Sequence, residues 1–490
     1  VSGPGAPPAS LAGEALRRGT LRLAASFRFG RARGAFCHAG WCQQCKVALA
    51  DGRVGLACRM DASEIALLRP PRRTRPLAGR VAEALRPWFH ERVVLSGRAQ
   101  QAFLRMLRRA SGALPLPAGP VAPGGPLRTL SCDCLVVGLG VSGSAAAEAL
   151  AQAGRDVLGI DEQELDRAGD GRRLPGSVAL GLYPDAASPS GHALLAAGPT
   201  GPVRILFRAL VAATGAYERL PPVPGCDLPG IVGVTAFARL ARAGAIGRER
   251  VIGLYAGRDG AARAAAAARQ AGLRFRFAVG STDPAADLAE AVHPGRFVAG
   301  LAGRGRLRVV ALSDGTRHAC DLLVVGYLQP SYELAMQAGR RAALPAPLAA
   351  LATEGEAAFP FLAVGGAAGD AGPDRAMRSR QRVTAFLAGR TLEETRPEAM
   401  PGPSRIADAV IACPCEDVRV GDLRAAIAAG FDTVEHLKRR TGAGTGPCQG
   451  KLCHGLMLGS LAEAGAPVAL PTVRPLLRPV ALAALGAAEP

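Results

Sequence analysis

Eight of the twelve cysteines fall into two sets of four whose spacing suits iron–sulfur chemistry. The first set is Cys37, Cys42, Cys45 and Cys58, a C-x4-C-x2-C run followed by a more distant fourth cysteine. Thiolates at this spacing hold a [2Fe–2S] cluster. Three ligands come from one tight loop, and the fourth is brought back by a neighbouring strand. The alternatives are a zinc site or a disulfide knot, but zinc favours paired C-x2-C units and only one is present. The second set is Cys413, Cys415, Cys448 and Cys453, a C-x-C and a C-x4-C. It too reads as a [2Fe–2S] site, with zinc as the main alternative because C-x-C is permissive. His38 and His436 flank the sets. A complete cysteine set makes them unnecessary as ligands, and both read as surface or surrounding residues.

The elements around each set must wrap a small inorganic core. Gly34 and Gly40 let the first loop bend. Lys46 to Ala57 reads as strand, Asp51-Gly52 turn, strand, which returns Cys58 to the loop. Leu21 to Phe29 reads as a strand leading in, and residues 1–15 as a loose arm rich in Pro, Gly and Ala. Around the second set, Val420 to Ala429 and Thr433 to Arg440 read as two short helices, and glycines 442, 444, 446 and 450 free the final loop.

Between the two sets lies a nucleotide pattern. An apolar strand from Cys134 feeds Gly138-Leu-Gly140-Val-Ser-Gly143 and an alanine-rich helix. The first glycine makes the turn, the second admits a pyrophosphate, and the third lets helix and strand pack. A second strand from Asp156 ends at Asp161-Glu162, where a ribose ligand is expected; Asp161 has the better spacing and Glu162 is the reserve. Ala209 to Thr214-Gly215 is a buried strand ending in a small turn, and Phe359 to Gly372 carries Gly365-Gly366 and Asp370. Val251 to Val279 repeats strand, turn and helix, but Arg258 stands where a close-approach glycine is wanted, so this unit reads as scaffold. The alternative for the first turn is a βαβ turn with no ligand.

The chain of 490 residues has room for several domains and carries a net charge of +19. That charge is nearly all arginine, with lysine only at 46, 438 and 451, and no aromatic-interleaved basic stretch accompanies it. Nucleic acid is therefore not the expected partner; an acidic protein partner is. No apolar stretch is long enough to span a membrane, and no signal-peptide pattern follows Val1. The missing initial Met points to trimming. Cys132, Cys134, Cys226 and Cys320 read as core thiols. The expected organisation is a ferredoxin-like module over 1–70, linkers and helices over 71–130, and a Rossmann-like domain over 131–245 and 321–400. A degenerate second nucleotide domain covers 246–320, a cysteine module 401–465 and a tail 466–490. The Pro-rich linkers are 70–76 and 115–126, and the clearest helix between them is 100–109.

The Ala-Thr-Gly215 turn after a Rossmann-like unit resembles the flavoprotein superfamily with two dinucleotide-binding domains. The Cys413–Cys453 module resembles the bacterioferritin-associated ferredoxin type. Taken in order, the whole chain resembles the alpha subunit of heterotetrameric sarcosine oxidase. It is similar also to the large subunits of opine oxidases, dye-linked proline or hydroxyproline dehydrogenases and hydrogen cyanide synthase. The stretches that carry the likeness are Gly430 to Thr441 with Gln449-Gly-Lys451, Gly34 to Cys37, and Arg474 to Arg478. The resemblance implies an α/β fold with a two-dinucleotide-binding core, an N-terminal β-grasp ferredoxin-like module and a small helical C-terminal module. It implies FAD, NAD or ATP at the first site, an FAD-containing beta subunit that oxidises an amine or amino acid, FMN at the interface between subunits, and a downstream acceptor. The folate-binding aminomethyltransferase domain has no counterpart before Pro490, so folate chemistry is not expected.

No Ser-His-Asp set, paired carboxylates or C-x2-C redox pair after the first nucleotide turn offers bond chemistry, and no catalytic residue is assigned. The favoured function is an electron-transfer subunit of an amine or amino-acid dehydrogenase complex, cytoplasmic or attached peripherally to the inner membrane face through partners. The alternatives are a self-contained NAD(P)H-dependent oxidoreductase and an iron–sulfur scaffold with a structural nucleotide.

Overall fold

Strands that are apolar on both faces need cover on both faces, and one parallel sheet and the parallel part of a mixed sheet in this chain are built from such strands. The structure is a computed structural model that describes residues 10–26, 29–69, 125–163, 172–281, 283–346, 348–390, 392–480 and 485. The arm before Ser10, the Pro-rich linker 70–76, the helical pattern 100–109, most of the linker 115–126 and most of the tail beyond 480 lie outside the described residues. The chain divides into two compact units, one formed by 1–118, 218–326 and 401–464, the other by 119–217, 327–400 and 465–490. The boundary therefore falls at 217/218 and 326/327, not at 245/246 and 320/321. The physical reason is sheet membership: Ile231–Gly233 and Leu322–Gly326 pair with each other and with the second nucleotide-like strand.

In the second unit a seven-stranded sheet holds the glycine-rich turn. Arg128–Val137 runs parallel to Val157–Ile160 on one side and to Gly201–Ala212 on the other. The long strand Gly201–Ala212 splits its far edge. Its first half takes the antiparallel strand His192–Gly198, and Leu210 to Ala212 pairs in parallel with Phe361–Ala363. This brings the end of the Ala-Thr-Gly strand beside the late glycine pair. Helix Val141–Gln152 follows the turn and packs Ala146, Ala147 and Leu150 with Val136, Val211 and Val383.

In the first unit five parallel strands run in the order Ile231–Gly233, Leu322–Gly326, Ile252–Ala256, Phe277–Gly280 and Val292–His293. Helix Arg258–Ala271 follows the second nucleotide-like strand, and Gly272 ends it with φ +64°. The glycine ends the helix because only a residue without Cβ takes that conformation freely.

The N-terminal module is two short ribbons and a helix. Ala24–Ala25 pairs with Ala32–Arg33, and Lys46–Ala48 with Val54–Leu56. The strand expected over Leu21 to Phe29 is limited to Ala24–Ala25. The loose arm is corrected at its end: Leu11–Arg17 is a helix, capped where Ser10 Oγ accepts from Gly13 N at 3.1 Å. Its Leu11, Ala12 and Ala15 pack on Leu23, Val47, Leu49, Cys45 and Cys58. Helices Val420–Ala428, Val434–Thr441 and His454–Glu463 form the C-terminal module.

Candidate functional site

The first cysteine loop turns by backbone that ordinary side chains resist. His38, Gln43 and Gly40 all have positive φ. The Cβ of any larger residue at 40 would lie 2.9 Å from Arg59 Nε. These turns aim amides at sulfur: Ala39 N and Cys42 N reach Cys37 Sγ at 3.3 and 3.4 Å. All four thiols are buried and none is in a disulfide. They meet two by two, Cys37 with Cys42 and Cys45 with Cys58. Burial pushes the Cys37 thiol up, but hydrogen bonds from Cys42 and Ala39 outweigh it and bring it down to about 7. Burial and the neighbouring sulfur of Cys37 push Cys42 up, and Cys58 with burial pushes Cys45 up.

The second set repeats the arrangement on different elements. Cys413 meets Cys453, and Cys415 meets Cys448. The Cys415 thiol brings Cys448 down to about 7 against burial, helped by the Leu452 and Gly450 amides and the Lys451 charge. Cys453 sits at the start of helix His454–Glu463. Gly450 has φ +83°, and a Cβ there would lie 2.0 Å from the His454 ring, so glycine is required twice over. Among the described residues no three of His, Cys, Asp and Glu are arranged around a single ion.

The two sets belong to one unit, and a buried carboxylate ties their loops. Asp417, 0% exposed, accepts from Arg31 Nη2 at 2.5 Å, Arg33 Nη2 at 2.8 Å and Phe29 N at 3.1 Å. Sequence spacing gives no sign of these pairs, which join residues far apart in the chain. His38 is buried, not on the surface, and burial followed by the Arg239 charge holds it down at about 4. His436 is half exposed and lies 3.5 Å from Asp432. Cys132, Cys134, Cys226 and Cys320 are buried, and burial pushes Cys132, Cys226 and Cys320 up to about 12; Cys226 Sγ lies 3.7 Å from the Ile411 carbonyl, two residues before Cys413.

In the other unit the expected nucleotide residues gather at the start of helix Val141–Gln152. Gly138 has φ +97°, and a Cβ there would lie 2.4 Å from the Ala213 carbonyl. At Gly143 it would lie 1.8 Å from the Gly138 carbonyl. Gly140 caps the helix with no side-chain bond and has nothing within 4 Å of its Cβ position. Two of the glycines thus serve packing, and the middle one faces open space at a helix N-terminus that favours an anion. Gly365 abuts Ser142, where a Cβ would lie 2.2 Å from Oγ, and Gly366 abuts Gly215. Thr214 Oγ1 donates to Ser331 Oγ at 2.5 Å, since the Ser331 hydroxyl hydrogen goes to the Gly215 carbonyl at 2.9 Å.

Asp161 curls back instead of projecting outward: its carboxylate accepts from Leu139 N at 2.7 Å and Gln163 N at 2.8 Å. Glu162 lies 3.7 Å from Arg478. Asp370 is held by buried Arg382 at 2.8 Å and by Thr395 Oγ1 at 2.5 Å, so it fastens helix Arg375–Leu387. Buried Glu333, which sequence reasoning missed, takes the Tyr217 hydroxyl at 2.9 Å on both oxygens. In the degenerate unit Gly260 keeps the packing role, its Cβ position 1.9 Å from the Gly326 carbonyl, while Arg258 opens the helix in place of a close-approach glycine.

Comparison with known proteins agrees with this layout. The family model of the sarcosine oxidase A3 domain matches residues 412–489. An opine oxidase subunit from Rhizobium meliloti (strain 1021) is 38% identical over 109 residues, which is 21% of this chain and 24% of that protein. The match therefore spans about a quarter of the curated relative. L-proline dehydrogenase from P. horikoshii has the same fold, with a TM-score of 0.65 at 16% identity over 97% of this chain and 94% of that one. No described helix is long and apolar enough to cross a membrane. The chain thus carries a C-terminal segment similar to the sarcosine oxidase A3 domain, a stretch similar to an opine oxidase subunit, and the fold seen in a proline dehydrogenase.

Proposed function

We propose that this chain is the nucleotide-binding, electron-transfer subunit of a flavin-dependent amine or amino-acid dehydrogenase or oxidase complex. The observation that carries it is the arrangement of eight thiols as two sets of two facing pairs, seven of the eight cysteines buried. A [2Fe–2S] cluster asks for two thiolates on each of two irons, and each set supplies four. The amides aimed at Cys37, Cys413 and Cys448 suit an electron-rich sulfur core. When bound, such clusters accept and release single electrons.

The protein's own residues do the rest. They exclude water from the thiols, hold sulfur in pairs and, at Gly140, present a helix N-terminus to a phosphate. FAD fits the first site as the family resemblance implies, with NAD and ATP as the competing nucleotides. The two carboxylates offered for the ribose are Asp161 and Glu162, and Asp161 would have to release Leu139 N to take it. Arg258 at the degenerate turn weighs against a second dinucleotide. The amine is oxidised on a partner subunit carrying FAD, with FMN at the interface and a downstream acceptor; the chain is placed in the cytoplasm.

The test is to purify the complex from its native host and add sarcosine, proline, hydroxyproline or an opine anaerobically. We expect one of these to bleach the clusters of this chain only when the partner is present. Bleaching of the isolated chain by NADH would favour a self-contained NAD(P)H oxidoreductase and overturn the proposal.

A further inference from the structure

The two cysteine sets are joined by one side chain. Gln44 lies in the first loop between Cys42 and Cys45, and its backbone N–H is directed at Cys42 Sγ. Its side-chain Nε2 lies 3.0 Å from the Cys42 carbonyl and 3.4 Å from Sγ of Cys415 in the other set. Its Oε1 accepts from Arg33 Nη1 at 2.5 Å. We propose that Gln44 donates a hydrogen bond from the first cluster loop to a ligand sulfur of the second, and so sets the potential of the C-terminal centre. The inference rests on both sets holding [2Fe–2S] clusters.

Which end of an amide faces a sulfur is ordinarily ambiguous. Here Arg33 decides it. A guanidinium has only donors, so the amide oxygen must face Arg33 and the NH2 must face Cys415. Arg33 cannot swing away: it is 4% exposed, and its other nitrogen is held by Asp417 at 2.8 Å and by the Pro414 carbonyl. Pro414 is the residue between Cys413 and Cys415, so the grip that orients Gln44 also fixes the turn that carries its target. Both Gln44 N–H groups and its oxygen are committed. Cys415 is the one cysteine of the eight that is not fully buried, and the amide stands at its sulfur.

A donor at a ligand sulfur stabilises the more negative, reduced state of the cluster, and removing it lowers the potential. A hydrogen bond to a charged group contributes on the order of a tenfold change in equilibrium constant. For a one-electron couple that is about 59 mV.

The experiment is a redox titration of the whole complex, followed by EPR, for wild type, Gln44→Leu, Gln44→Asn and Gln44→Glu. Iron and sulfide contents are measured alongside, and Cys415→Ser identifies which signal belongs to the C-terminal centre. Gln44→Leu removes the donor, Gln44→Asn withdraws it by one methylene, and Gln44→Glu replaces it with an oxygen. We expect the reduced-to-oxidised ratio of the C-terminal centre at fixed potential to fall about tenfold in Leu and Asn and further in Glu, with a smaller change at the N-terminal centre. Loaded variants with unchanged potentials, or a shift confined to the N-terminal centre, would overturn the role of Gln44. Variants that lose only N-terminal iron would overturn it too, since Gln44 would then serve its own loop alone. Wild type without iron or sulfide would instead remove the cluster reading itself.

Discussion

Replacing Asp417 tests how the two cysteine loops are held together. Asp417→Asn keeps the shape, keeps one acceptor oxygen and keeps a residue that tolerates φ +58°, so it removes chiefly the charge. Two arginines lose their partner unequally. Arg31 is 25% exposed at its side chain and keeps Asp227 at 3.0 Å, so its loss is small. Arg33 is 5% exposed at its side chain and keeps only neutral acceptors, Gln44 Oε1 and the Pro414 carbonyl. Breaking a buried pair by removing one partner costs about 3–5 kcal/mol. The acceptors that remain place Asn at the low end, about 3 kcal/mol, and Asp417→Ala at the high end. For a unit of this size each kcal/mol moves Tm by about 1.6 °C, so Asn should lower it by roughly 5 °C. Calorimetry of the intact complex reads the transition, with iron content recorded before heating. A Tm within about 2 °C of wild type in both variants would show that Arg33 is not dependent on this carboxylate, and the reasoning would fail.

Other positions separate packing from binding. Gly143→Ala should destabilise its unit by about 2 kcal/mol or more, because its Cβ would meet the Gly138 carbonyl at 1.8 Å. Gly140→Ala should leave Tm nearly unchanged, having open space at Cβ, yet lose nucleotide after denaturation and extraction; normal nucleotide content would remove Gly140 from the site. Asp370→Asn should cost about 3 kcal/mol by leaving Arg382 buried without its charge partner, measured by urea unfolding. Glu14 is held down from 4.5 to about 2 by the hydrogen bonds of Arg17 and Arg18. A depressed carboxylate stabilises above its unfolded pKa, and that stability is lost as pH falls from 4.5 towards 2. Both arginines are more than half exposed, so the effect is under about 1 kcal/mol, and Glu14→Gln should flatten the acid limb of a Tm–pH profile by that little.

What could be read along the chain was local. The Asp51-Gly52 hairpin, the turn at Gly138 to Gly143 and the strand into Thr214-Gly215 each carry their signal within a dozen residues, and each forms as expected. What could not be read was long-range. Asp370 gives no sign in the sequence that buried Arg382 claims it. Asp161 has the right spacing for a ribose, while its present partner is an amide across the turn. The helix Leu11–Arg17 sits in a Pro- and Ala-rich stretch with little periodicity, and burial against Leu49 and Val47 sustains it. The unit boundary escaped notice because Ile231–Gly233 is a three-residue strand whose place is decided by Leu322–Gly326, far along the chain.

The most direct measurement is the iron, acid-labile sulfide and zinc content of the natively purified complex, with EPR after dithionite. The account predicts about four irons and four sulfides per copy of this chain, little zinc, and two distinct rhombic signals. Stoichiometric zinc without labile sulfide, or a colourless chain silent in EPR, would contradict it.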